Sequence, residues 1–187
     1  MNVPEIRAEA GRVRGRTEGR PGRVPRHPVR AAAGGELRSA APQPVPAWDG
    51  VREALAFGSS PPQSLLLGPP SNAVAGDDWL TLDVWSPRPG AGAAVPVMVW
   101  IHGGAFQFGH AADPTYDGAR LAREAGVVLV TFNYRVGVEG LGHLRGARDN
   151  RGMLDRLAAL EWMRANIAAG HRPKWIGFFA RRRPPTS

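Results

Sequence analysis

Residues 95–109, VPVMVWIHGGAFQFG, place His102-Gly103-Gly104 directly after a run of apolar and β-branched residues. Backbone N–H groups fixed in a turn can stabilise negative charge developing on a carbonyl oxygen, typically by about 3 kcal/mol per donor. Glycine suits such a turn, because a side chain would block the approach or forbid the backbone angles. Ligands of open α/β sheets also bind at the carboxyl ends of strands. The pattern therefore points to acyl-transfer chemistry, although a plain glycine turn fits the same three residues equally well. Other candidate groups are weaker. Glu139, His143 and Asp149 could supply an acid and a base, but no nucleophile accompanies them, and solvated loop positions explain them better. The five histidines show no His-Glu-x-x-His spacing, so no metal site is expected.

The flanking elements are those of a regular α/β unit. DWLTLDVWSP (78–87) alternates apolar and polar residues at Leu80, Leu82 and Val84, then stops at Pro87, which predicts a strand. VPVMVWI (95–101) and VVLVTFNYR (127–135) are continuous apolar runs, expected to be strands covered on both faces. GARLAREAG (118–126) predicts a short helix with Leu121 on its apolar side and Gly126 at its stop. RGMLDRLAALEWMRANIAAG (151–170) predicts a longer helix. Its apolar face would hold Met153, Leu157, Leu160 and Ile167, with Gly170 as the C-terminal cap. Strand, helix, strand, helix implies a mostly parallel sheet with helices packed on it. Residues 19–48 and 171–187 show no usable period and predict no regular element.

The formal charge of +8 suggests an anionic partner only until its distribution is considered. Residues 1–38 carry a net +5 and residues 171–187 another +5, whereas 39–170 carry −2. All the excess basicity lies in the two end segments, and Lys174 is the single lysine, a skew that suggests GC-rich coding. Arg181-Arg182-Arg183 is the best feature of an alternative reading as a basic module for nucleic acid or anionic surfaces. No aromatic-interleaved basic surface supports it, so no nucleic-acid partner is expected. The chain has no cysteine, no apolar run of about 20 residues that could cross a bilayer, and no secretory leader at its start; a cytoplasmic location is expected.

Five blocks in one order carry a more specific resemblance: GDDWLTLDVWSP, VPVMVWIHGGAFQFG, YDGARLA, VVLVTFNYRVGVEG and NRGMLDRLAALEWMRANIAA. Together they resemble the N-terminal third of the type B carboxylesterases, the α/β-hydrolase branch that includes bacterial esterases and the cholinesterases. The resemblance runs through residues 39–169, and PEIRAEAGRVRGRTEG (4–19) is similar to the family's opening hairpin. It implies an incomplete α/β-hydrolase fold and carboxylic-ester hydrolysis through an acyl-serine, with no cofactor. The oxyanion donors would be the N–H groups of Gly104 and Ala105, with Gly103 completing the turn. Ala105 stands where many members have a third glycine, and its N–H survives the exchange. His102 would shape the loop rather than act as base, and Phe106 and Phe108 would be pocket-wall or core aromatics, core being the plainer reading. Arg38 and Asp77 would form a structural ion pair. Asp155 matches a structural aspartate that the family follows with glutamine; Arg156 here replaces that glutamine.

The resemblance also exposes what is absent from these residues. None of the seven serines lies in Gly-x-Ser-x-Gly, the strained turn that presents the family's nucleophile. The triad's acid and histidine are not matched either, so this chain is expected to be a fragment that does not turn over alone. Domain organisation follows: residues 1–170 as the N-terminal part of a carboxylesterase domain, and 171–187 as a divergent basic tail. Residues 21–34 are atypical. A family-like Phe-Arg-Gly-Ile-Pro-Phe-Ala in GC-rich codons, read from one base earlier, becomes Val-Pro-Arg-His-Pro-Val-Arg, the sequence at 24–30. That segment is therefore expected to be translated out of frame, and the product of a degraded gene is a further alternative. The expected partners are an ester substrate in intact relatives, no membrane, and association or aggregation through a sheet left open.

Overall fold

The computed structural model describes residues 5–17, 22–28, 34–65, 70–87, 95–167 and 175–179. A small sheet opens the chain. Strands β1 (Glu5–Ala8) and β2 (Gly11–Arg14) form an antiparallel hairpin, and β5 (Val51–Glu53) joins β2 in parallel. Val13 and Ala54 are buried beneath it, with Ile6 and Trp48 packed alongside.

Among the described residues the main sheet has six strands, in the order β3-β4-β6-β8-β7-β9. These are β3 (Arg16–Thr17), β4 (Gly22–Pro28), β6 (Thr81–Ser86), β7 (Val97–Trp100), β8 (Val128–Phe132) and β9 (Trp175–Phe179). The sequence predicts a mostly parallel sheet; the structure is parallel only from β8 through β7 to β9, and antiparallel among β3, β4, β6 and β8. The parallel strands are those separated by α-helices, α1 (Gly118–Ala125) between β7 and β8, and α3 (Arg151–Asn166) between β8 and β9. A parallel pair needs a long crossover, which these helices supply; the parallel β2 and β5 of the small sheet are joined instead through β3 and β4.

Both end segments depart from expectation by contributing strands. β4 pairs with β6 along its length, and its register shifts between Val24 and His27, where Pro25 has no N–H to give the ladder. β9 pairs in parallel with β7, so that edge of the sheet is not left bare. Its sequence, WIGFF, is aromatic and β-branched, which suits a strand once a neighbouring backbone is available.

The core forms where the sheet meets α3. Leu82, Val97, Val99, Val128, Val130, Phe132, Tyr134 and Val136 pack against Ala159, Met163 and Ile167. On the opposite face Trp85 and Leu129 pack against Ala122 of α1. β8 is buried throughout, as expected of a strand covered on both faces, whereas β7 buries Val97 and Val99 but leaves Met98 and Trp100 partly exposed. The helices match the predicted faces only in part. α1 buries Gly118 and Ala122 and leaves Leu121 39% exposed, ending as expected on a left-handed Gly126. α3 packs Leu160 and Ile167 against the core as expected, but exposes Met153 and Leu157, at 40% and 56%, and buries Asp155, Ala158, Ala159 and Met163. The proposed cap Gly170 lies outside the described residues.

Candidate functional site

The turn after β7 has three of its carbonyls tied back, while no amide from Gly103 through Phe106 donates to a described residue. Gly103 O accepts from His102 Nδ1 at 3.0 Å. Gly104 O accepts from the amides of Gln107 at 2.9 Å and Phe108 at 3.3 Å. Phe106 O accepts from Gly137 N at 2.6 Å, at the start of the short helix α2 (Gly137–Leu141). No hydrogen bond from the amides of Gly104 or Ala105 is formed with any described residue. Gly103 and Gly104 are half-buried, and Ala105 is exposed. Such a pair of unpaired N–H groups can hold a negatively charged oxygen.

The backbone explains the glycine. Gly104 has φ +119, outside the range of L-residues, and a Cβ there would lie 1.9 Å from Phe108 O. Ala105 and Phe106 follow at φ +53 and +63. A left-handed conformation costs a residue with a side chain roughly 1–2 kcal/mol, so the surroundings must hold this turn in place.

Several groups do so. His102 is buried, its ring stacked on Tyr134 with centroids 4.3 Å apart, and the Tyr134 hydroxyl donates to His102 O at 2.8 Å. Because Nδ1 faces a carbonyl it carries the proton, and the buried Nε2 has no partner among the described residues. Burial pushes the His102 pKa down to about 4, with the positive charges of His110 and Arg156 adding smaller effects in the same direction. The neutral imidazole is thus enclosed, packed against the Tyr134 ring. At the far end of the loop, the Gln63 amide accepts from Gly109 N at 2.8 Å and donates to Gly109 O at 3.3 Å. Asn133 accepts from Ala111 N and donates to Ser59 O, joining the same two segments in the interior.

A second clamp fixes α3 beneath the site. Asp155 accepts from the backbone N–H of Arg135 at 2.9 Å and from its guanidinium at 2.8 and 2.7 Å, with both side chains fully buried. The remaining Arg135 nitrogen donates to the carbonyls of Arg38 and Ala40. Arg151, also buried, donates to the carbonyls of Val138, Glu139, Gly142 and Arg148. Buried arginines are tolerated because every such bond replaces water on a charged group.

Several expected roles move. Arg38 does not pair with Asp77: its guanidinium is hydrogen-bonded to Glu139, which raises its pKa, and Asp77 adds only a weaker attraction. Docking of the turn at Gly35–Ser39 onto Arg135 carries Arg38 to α2, where Glu139 is the carboxylate within reach. Glu139 is thereby removed from any acid–base set, and the remaining pair, His143 Nδ1 and Asp149 at 2.9 Å, is exposed. Phe106 and Phe108 are not core residues. Phe106 is 38% exposed and Phe108 half-buried, and the Arg156 guanidinium lies 4.7 Å above the Phe106 ring. The sequence reading missed Gln63, Asn133 and Tyr134 as supports. The run Asn133-Tyr134-Arg135 at the end of a buried strand was the available signal, since polar groups there need partners.

The carboxylesterase family model matches residues 2–177. The chain belongs to the carboxylesterase family. This carboxylesterase-family chain is 39% identical over 171 residues to the para-nitrobenzyl esterase of Bacillus subtilis (strain 168), covering 88% of the chain and 35% of that protein. It is 39% identical over 158 residues to the cholinesterase of Mus musculus, covering 78% of the chain and 26% of that protein. A solved thermophilic PNB esterase superposes with a TM-score of 0.87 at 36% identity, over 96% of the chain and 38% of the esterase. The fold is therefore an incomplete α/β-hydrolase, and the chain spans about a quarter to a third of the length of the curated relatives it matches.

Proposed function

We propose that the turn at Gly103, Gly104 and Ala105 is the oxyanion hole of a carboxylic-ester hydrolase, with the N–H groups of Gly104 and Ala105 as donors. One observation carries this reading: Gly104 N and Ala105 N lie in a run of amides, Gly103 through Phe106, that have no partner among the described residues, while the carbonyls of Gly103, Gly104 and Phe106 are hydrogen-bonded inward. The relatives named as esterases supply the substrate class.

In the proposed reaction a serine hydroxyl adds to the ester carbonyl as a histidine takes its proton. The former carbonyl oxygen becomes an anion and accepts hydrogen bonds from Gly104 and Ala105. Collapse of the intermediate expels the alcohol, which takes the proton back from histidine. Water then hydrolyses the acyl-serine, and the acid leaves. No cofactor is required. The residues of this chain supply the anion cradle, and Phe106 stands at its rim. They include no Gly-x-Ser-x-Gly serine, so the 187 residues alone are expected not to turn over.

A chimera tests this. Residues 5–167 of this chain would replace the matching part of the Bacillus subtilis para-nitrobenzyl esterase, which brings its own remaining residues. Hydrolysis of a para-nitrophenyl ester is expected from the chimera and not from the chain alone. Hydrolysis by the chain alone, abolished by a serine-directed inhibitor, would refute the assignment of the missing nucleophile. A folded but inactive chimera would refute the cradle.

A further inference from the structure

Behind the donor turn the side chains form a connected stack that ends on a charge. The Arg156 guanidinium, on α3, lies 4.0 Å above the centre of the Tyr134 ring and 4.7 Å above that of Phe106. Both rings bear directly on the turn. Phe106 belongs to it and holds the left-handed φ of +63. Tyr134 stacks on His102 and donates to its carbonyl, one residue before Gly103. Among the described residues no carboxylate forms an ion pair with Arg156. Its Nε is buried with no hydrogen-bond partner among the described residues, and Nη1 lies 3.7 Å from the Met153 sulfur. Aromatic faces attract a cation through their negative quadrupole, and a planar guanidinium can lie flat on them. An ordinary exposed arginine on a helix would extend into water or toward a carboxylate on a neighbouring turn; this one is drawn back over the loop.

We propose that Arg156 is a positioning residue for the donor turn: by clamping Phe106 and Tyr134 it holds the Gly104 and Ala105 amides in their donor orientation. The functional meaning of this clamp rests on the oxyanion reading above, but its geometry does not, and the test reads the turn itself. It also gives the glutamine-to-arginine departure a specific consequence, since a neutral amide lacks the charge that makes both ring contacts attractive.

The experiment uses the isotopically labelled full chain and the variants Arg156→Met and Arg156→Lys. Two amides report closure of the turn: Gln107, which donates to Gly104 O, and Gly137, which donates to Phe106 O. In Arg156→Met their hydrogen-exchange protection is expected to fall about tenfold, with protection of β8 unchanged. The His102 imidazole should also titrate at higher pH, because a nearby positive charge has gone. Arg156→Lys should keep the His102 titration and recover only part of the protection, since an ammonium cannot lie flat on two rings. Unchanged Gln107 and Gly137 protection in Arg156→Met overturns the proposal. So does an equal loss across β8, which would make Arg156 a general stabiliser. Should Arg156→Met not fold, Arg156→Gln is read in the same way, and failure of both to fold counts against the proposal. Anion binding at Gly104 and Ala105 is measured separately, so loss of the clamp and loss of the oxyanion reading give different results.

Discussion

The buried neutral His102 makes stability depend on pH in a direction the structure fixes. In the unfolded chain its pKa is the ordinary 6.5, and in the folded chain burial depresses it to about 4. Below pH 6.5 the unfolded state therefore takes up a proton that the folded state refuses, and unfolding is favoured as the pH falls. This contribution is fully present above pH 6.5 and is exhausted near pH 4. A difference of about 2.5 units, at 1.36 kcal/mol per unit, corresponds to about 3 kcal/mol over the whole window. About 2 kcal/mol of it falls between pH 6.5 and 5, above the range in which most carboxylates titrate. His110, depressed mainly by its own burial, adds in the same direction. Urea unfolding of the full chain at several pH values from 5 to 8 measures the slope. In His102→Asn, which keeps a donor for Gly103 O without a titrating ring, the pH 5-to-7 difference should shrink by about 2 kcal/mol. An unchanged slope in that variant, or an imidazole resonance of His102 titrating near its ordinary pKa, would refute the reasoning.

Other consequences are as direct. Asp155→Ala strands the buried Arg135 guanidinium, which the Asp155 carboxylate otherwise holds through two oxygens; a loss of about 3–5 kcal/mol is expected in denaturant unfolding. Gly109→Ala forces a side chain onto a φ of +113 and a Cβ to 2.6 Å from Gly103 O, so its melting temperature should fall well below that of an exposed control such as Glu124→Ala. Val138, Leu157 and Met153 are exposed at 69%, 56% and 40%, and sedimentation of the chain alone should show self-association that Leu157→Glu weakens. A monomer at all concentrations would count against that.

How much of this was legible in the sequence follows from which interactions are local. The strand-then-glycine pattern at 95–104 and the buried run at 127–135 encode their roles within a few residues, and the structure puts strands there. The buried face of α3 was misjudged because apolar residues lie on more than one of its faces, so periodicity could not choose between Leu157 and the alanines that pack. β4 and β9 are strands by virtue of their neighbours: a backbone ladder on β6 or β7 recruits segments whose own composition predicts little. The supports of the site come from far away in the chain. Gln63 meets Gly109 across 46 residues, and Asn133 meets Ser59 across 74. Arg38 found Glu139 rather than Asp77 because the turn at Gly35–Ser39 docks on Arg135, a tertiary fact with no local signature.

The claim on which the functional account depends is that the Gly104 and Ala105 amides receive an anionic tetrahedral oxygen. Titration of the labelled chain with phenylphosphonate, followed by amide chemical shifts, tests it most directly. The account predicts saturable downfield shifts of the Gly104 and Ala105 amide protons, which disappear in Gly104→Ala. Silent amides at both positions, with shifts confined to the arginine side chains, would contradict it.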